Sequence, residues 1–319
     1  MSVLSSTQSP ASTGGVPPSS AAGRVRVPRW RRRLRPYLLI VPAVALCVGI
    51  LYPFLLGVFY TLFNYSATKP VPDFVGVDNY VTVLTQGEFW HSAWVTGLFA
   101  VLATVVETVL GVGVALLLNR SSLLGRLLEK VLIVPLMIAP IIAAIIWKLM
   151  LWPSVGVLSH YLSMIGLGDL TAIDTAGKAM FWCVVIDTWI FTPFVAILAL
   201  AALRSMPRSP FEAAAVDGAS PWFTFRTLTL PMLWPYVLVA VIFRFMDSLK
   251  VFDVIYAFTQ GGPGNATTTL QISAYLQAIT YQRYSFGTTF MIVLWAIVYV
   301  VSMVLVRYLG RVQNRSAGK

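Results

Sequence analysis

Six stretches of this sequence stay apolar over bilayer-spanning lengths: 37–62, 94–118, 131–151, 179–203, 232–257 and 286–308. A helix needs about 20 mostly apolar residues to cross the hydrocarbon. In lipid, backbone polar groups have no water to bond, so such runs satisfy them internally as helices. Composition agrees: 58% of the 319 residues are hydrophobic and 11% are charged, where soluble domains carry about a quarter charged residues. The first run is too long for a secretory leader and no small-residue cleavage site follows it, so it is expected to be retained. The expected fold class is an all-α membrane protein with six transmembrane helices.

Lysine and arginine then orient the spans, because cytoplasmic loops carry the excess. Seven arginines between Arg24 and Arg35 precede the first run. Arg120, Arg126 and Lys130 follow the second, and Arg204, Arg208 and Arg226 follow the fourth. Arg307, Arg311, Arg315 and Lys319 follow the sixth. The opposite loops hold only Lys69, Lys178 and Arg283. Both termini and the 204–231 loop are therefore expected in the cytoplasm. The net charge of +11 reads as a topology signal. It does not read as a nucleic-acid surface, which would set basic residues among aromatics on a folded face. Residues 1–35 are expected to form a disordered basic tail, its Ser-, Pro- and Gly-rich start unable to bury a core. Its arginines stand where anionic lipid lies. Residues 36–310 form the membrane domain, and 311–319 a second cytoplasmic tail.

Cys47 and Cys183 each lie inside an apolar run, and His91 and His160 are isolated. No disulfide framework or metal set follows from these. Between the spans, 74–94 reads as a short amphipathic segment ending in Trp90 and Trp94, residue types that favour the headgroup level. A further short interfacial helix is expected within 153–174.

The loop SPFEAAAVDGASPWFTFRTLTLPM, residues 209–232, is the most structured connection. Ser209 is expected as N-cap, Pro210 as the first helical residue and Glu212 as the reciprocal acceptor of a capping box. Gly218 ends the helix or allows a close backbone approach. Ser220-Pro221 starts a second helix. The product is a helical elbow, either packed under its own bundle or offered to a partner's groove.

This stretch resembles the EAA motif of permease subunits in ATP-binding-cassette importers. Glu212, Ala213 and Ala214 stand where that family has E-A-A. Asp217-Gly218-Ala219 supplies its glycine, and Leu228-Thr229-Leu230-Pro231 its hydrophobic-x-Leu-Pro. Leu228 replaces a frequent isoleucine. The segment 243–270, with its Gly261-Gly262-Pro263 turn, and FVGVDNY at 74–80 are similar to the maltose-type first permeases. The likeness covers roughly 36–310. It implies the type I importer permease fold in a bacterial cell membrane. It also implies a second, similar permease, two copies of a cytoplasmic ATPase and an extracytoplasmic solute-binding protein. The elbow would be the helix that couples to the ATPase, through Glu212, Ala213, Ala214, Asp217, Gly218, Ala219, Leu230 and Pro231. ATP and Mg would be bound by the ATPase; this chain has no G-x-x-x-x-G-K-[ST] and is expected to hold no cofactor or metal of its own.

Ionisable residues within spans usually face a cavity or one another. Arg244, Asp247, Lys250 and Asp253 recur every third residue with alternating sign, a row that drifts round the helix. It cannot all face one path, so some members are expected to bond neighbouring helices. Glu107, Asp187 and Lys148 are the other interior charges, and together these cluster from mid-membrane outward. Carboxylates that accept from hydroxyls, with aromatic rings beside them, suit a sugar or polyol. Arg244 and Lys250 keep glycerol-phosphate open. The residues expected on the solute path are Asp187, Trp189, Asp247, Lys250 and Tyr256, against the alternative that each ties helices together. Pro135, Pro140 and Pro193 interrupt their spans and either free carbonyls toward a cavity or are tolerated kinks. No catalytic constellation such as H-E-x-x-H or G-x-S-x-G is present, which disfavours an enzyme. A stand-alone secondary transporter remains the alternative in another class, although no repeat relates the two halves. A non-carbohydrate importer permease remains the alternative within the family.

Overall fold

The computed structural model describes residues 29–119 and 123–316. Residues 1–28 of the tail expected over 1–35, residues 120–122 and the last residues, 317–319, lie outside them. The chain divides into two compact units, 1–54 and 55–319. The first contains most of helix α1, Arg29–Tyr60, so the backbone is already helical at Arg29, before the first apolar run.

The second unit is built on α3 (Gly87–Leu118), α7 (Ala176–Ser205), α10 (Leu230–Ser248) and α13 (Tyr284–Ser316). Helices α3 and α7 run side by side in the same direction. Val95, Phe99 and Ala103 pack with Met180–Ile190 at one end, and Ala115 and Leu118 pack with Ala199–Leu203 at the other. Gly111 allows a close approach: a Cβ there would lie 2.7 Å from the Val195 Cβ. Without a hydrophobic drive between helices in lipid, such close backbone packing supplies the association energy. A third cluster seats Phe286, Phe290 and Leu294 of α13 against Phe89, Leu270 and Val83.

The third and fifth runs depart from single straight spans. The third is two helices, α4 (Leu123–Ile133) and α5 (Pro140–Met150), bent by 97°. The break falls where Pro135 starts a short 3₁₀ turn and Pro140 opens α5. Proline removes the ladder donor and disfavours the helical conformation for the residue before it; Val134 stays helical before Pro135, whereas Ala139 leaves the helix at ψ 131°. The fifth span starts earlier and ends earlier than 232–257. It runs continuously over Pro221–Ser248, through α9 (Pro221–Thr224), a π-turn at Phe225–Thr229 and α10. The widened turn relieves the clash that the Pro231 ring would make with the carbonyl four residues back. The chain then breaks at 249–252 and restarts as α11, Asp253–Thr259.

Outside the spans, α2 (Asp78–Thr85) and α6 (Val157–Met164) occupy the two segments expected to hold short helices. Trp90 and Trp94 fall on the first turns of α3. One element departs from the all-α reading. Strands β1 (Phe63–Ser66) and β2 (Lys69–Phe74) form an antiparallel hairpin, held to α13 by the Tyr65 N–H donating to Ser285 Oγ at 3.0 Å. Helices α8 (Ser209–Val216) and α12 (Leu270–Tyr275), a 3₁₀ turn at Gly168–Thr171 and a π-turn at Leu276–Thr280 complete the described elements.

Candidate functional site

Three helices, α3, α7 and α10, bring interior charges to one point. The Arg244 guanidinium on α10 donates from Nε to Glu107 Oε2 at 2.6 Å and from Nη2 to Glu107 Oε1 at 2.9 Å. Nη2 also reaches Asp187 Oδ2 on α7 at 2.8 Å, and Nη1 reaches Asp247 Oδ2 at 2.8 Å. The ring of Phe191 lies 3.8 Å below the guanidinium. The Arg244 and Glu107 side chains are 4% and 0% exposed, whereas Asp247 is 56% exposed. An arginine in an apolar interior is tolerable only when carboxylates and hydrogen bonds replace its water. The fork geometry of the guanidinium meets that need here.

Beside this node lies a cavity of about 260 Å³, lined by Asp187, Arg244, Asp247, Ser248, Lys250, Phe252 and Asp253, with Pro140 and Phe191 as apolar walls. Asp247 and Lys250 stand at its mouth, 3.9 Å apart and both about half exposed. Phe252 at the mouth is one of an aromatic trio: its ring stacks on Tyr256 at 4.9 Å, and Tyr275 lies 5.1 Å from Phe252 and 5.0 Å from Tyr256.

The residues expected on the path therefore separate. Asp247 and Lys250 are accessible at the mouth. Asp187 lines the same cavity but is buried and bound to Arg244. Tyr256 backs the mouth through Phe252. Trp189 does not join them: it lines a different, apolar groove of about 1140 Å³ along α3 and α7 and packs edge-on against Trp147 at 5.9 Å. Two residues at 100° each separate Asp187 and Trp189 by 200° around α7, so one helix cannot turn both inward. Glu107 and Arg244 were legible as interior charges, but only the fold shows them as mutual partners. Phe252 was not singled out; its i,i+4 spacing to Tyr256 before the Gly-Gly-Pro turn was the available signal.

The elbow is the second feature. Helix α8 starts one residue earlier than a Ser209 cap requires. Arg208 is the N-cap, and no side chain caps it. The capping box with Glu212 is thus not formed. Its donors are already used, since the Phe211 and Glu212 N–H groups both donate to Arg208 O at 3.0 Å and Pro210 has none to offer. The far end is as expected. Gly218 has φ +70°; its N–H donates to Ala215 O at 3.2 Å and the Ala219 N–H to Ala214 O at 2.9 Å, the paired bonds of a Schellman ending. Ser220 Oγ then accepts from the Phe223 N–H at 3.2 Å and caps α9.

Arg208, Phe211, Glu212 and Ala215, at helical spacing, face a groove of about 1140 Å³ against α3, α4 and the end of α7. Ala213, Asp217 and Gly218 are exposed, and Ala214 and Ala219 are half-buried. Val216 is 88% and Trp222 68% exposed. Leu230 and Pro231 are exposed where α10 begins.

The family description "binding-protein-dependent transport system inner membrane component" matches residues 107–315. The trehalose/maltose transport system permease protein of Thermococcus litoralis is 38% identical over 249 residues, covering 77% of this chain and 84% of that protein. The sn-glycerol-3-phosphate transport system permease protein of Escherichia coli is 31% identical over 292 residues, covering 90% and 98%. Among solved structures, a chain of a bacterial ABC transporter involved in alginate import superposes with a TM-score of 0.75 at 23% identity, over 89% of this chain and 99% of that one; it supports the fold. On the span pattern, the elbow and these matches, the chain belongs to the family of binding-protein-dependent transport system inner membrane components.

Proposed function

We propose that this chain is a permease subunit of an ATP-driven importer for a neutral sugar or polyol, in a bacterial inner membrane. It pairs with a second permease, receives solute from an extracytoplasmic binding protein and is driven by two copies of a cytoplasmic ATPase that bind ATP and Mg. The exposed elbow carries this reading. Val216 and Trp222 project from a sharply terminated helix pair, on the side of the membrane that the arginines mark as cytoplasmic, and large apolar side chains so displayed mark a protein interface. Closure of the ATPase pair would draw the elbow inward and move the spans it joins, α7 and α9–α10, which carry Asp187 and Arg244. At the mouth, Asp247 accepts from solute hydroxyls while Phe252, backed by Tyr256 and Tyr275, offers an aromatic wall to a sugar's apolar face.

Gly218→Val tests the coupling role. Valine at φ +70° is strained, so the elbow's tip distorts while the spans are untouched. A tagged chain drawn from its native membrane should bring an ATPase and a second permease, and the variant should lose the ATPase and retain membrane insertion. Equal ATPase recovery from both would remove the elbow from the interface.

A further inference from the structure

We infer that Glu129 and Arg204 are positioning residues that make α4 a strut between the elbow and the solute mouth, an inference that rests on the coupling role proposed above. Arg204 lies on the last turn of α7, four residues before Arg208, the N-cap of α8. It donates from Nη1 to Glu129 Oε1 at 3.1 Å and from Nη2 to Glu129 Oε2 at 2.9 Å. Two parallel bonds between planar groups fix orientation as well as distance. The stem of the elbow is thereby held to the middle of α4.

The other end of α4 leads to the mouth. After the 97° bend, Pro140 opens α5 and itself lines the 260 Å³ cavity with Asp247 and Lys250. Ala143 and Ala144 of α5 pack in one buried cluster with Val254, Ile255 and Phe258 of α11, the helix that follows the mouth residues. A displacement of the elbow thus has two routes to the mouth: along α10 to Arg244, and across the Glu129–Arg204 fork, down α4 and around the bend to Pro140. Rigid helices with a hinge of few residues are the usual carriers of such motion. The ion pair is partly exposed, so it contributes little to stability; its geometry, linking two elements that no other described ion pair joins, is what it offers.

The test is ATP-dependent access to the mouth. The complete complex, purified with the subunits that accompany the chain and placed in nanodiscs, would carry Lys250→Cys in a Cys47→Ser background. The rate of labelling by a membrane-impermeant maleimide is read with and without Mg-ATP. The parent should change by about fivefold or more, the lower end of ordinary coupling between sites. Arg204→Glu and Glu129→Gln should each reduce that response to within about twofold while the ATPase still co-purifies, and the exchanged pair Glu129→Arg/Arg204→Glu should restore it. A full response in the single variants would overturn the strut. So would loss of the ATPase from them, which would make the pair a docking contact, or an assembled exchanged pair without recovery. A parent that does not respond to ATP at all would instead defeat the coupling reading, and the strut with it.

Discussion

At the scale of residues, Arg244 and Asp247 belong to one hydrogen-bonded group yet predict opposite phenotypes. Arg244 is enclosed, and its loss strands two buried carboxylates, Glu107 and Asp187. Breaking a buried ion pair from one side costs roughly 3–5 kcal/mol, a large share of the roughly 5–15 kcal/mol that holds a domain together. Arg244→Met should therefore abolish the monodisperse subunit on size-exclusion chromatography. Asp247 is half in solvent, where an ion pair contributes about 1 kcal/mol or less. Asp247→Asn should leave the elution profile intact and lower solute uptake roughly tenfold, the cost of weakening a charged hydrogen bond to a hydroxyl. Loss of the folded subunit in Asp247→Asn would assign it to helix packing. This division was only half legible in the sequence. Alternating charge at every third residue showed that the group existed and that some members must bond neighbours. Which ones do so depends on Glu107, 137 positions away from Arg244, and no local pattern encodes that pairing.

At the scale of elements, the spans were legible because hydropathy is summed over some twenty residues and tolerates local error. Their interruptions were less so. Pro135 and Pro140 announced a break in the third run, but not its angle, since a proline sets a local dihedral and packing sets the rest. The end of α10 at Ser248 had no announcement: 249–257 is as apolar as what precedes it, and tertiary packing against α5 decides. The hairpin of β1 and β2 was missed because four to six residues with two prolines give little period-2 signal. The seam between α3 and α7 shows what glycine does within a span. At Gly111 a methyl group would overlap Val195, and overpacking of this kind costs typically 1–3 kcal/mol. Gly111→Ala should lower the thermal midpoint of the detergent-purified chain by several degrees. Val195→Gly in the same chain removes the Cβ and Cγ1 that the new methyl would meet and should recover part of that loss, because contacting residues couple. Additive losses in the double variant would mean that the helices do not meet there.

At the scale of the whole molecule, charge sorts twice. Across the membrane, the excess of arginine beside the elbow carries the proposed orientation, with the elbow toward the cytoplasm. Within the membrane, charge decides what the mouth can accept. Arg244 spends its donors on Glu107, Asp187 and Asp247, so it has little left for an anion. The mouth then presents Asp247 and Asp253 against the single ammonium of Lys250. A phosphate dianion would meet two carboxylates and one cation, whereas phosphate sites gather forked, unspent donors. A neutral polyhydroxylated solute meets acceptors and an aromatic wall without that repulsion. Deleting the chain from its native cells should accordingly abolish ATP-dependent uptake of at least one of a panel of labelled neutral sugars and polyols, and spare uptake of a glycerol phosphate. Lys250→Gln separates the two solute classes further. With a neutral solute it should change uptake by only about threefold, the effect of one modest hydrogen bond. If glycerol-phosphate uptake depends on the chain instead, the same substitution should nearly eliminate it, because Lys250 would then be the mouth's accessible cation for the anion.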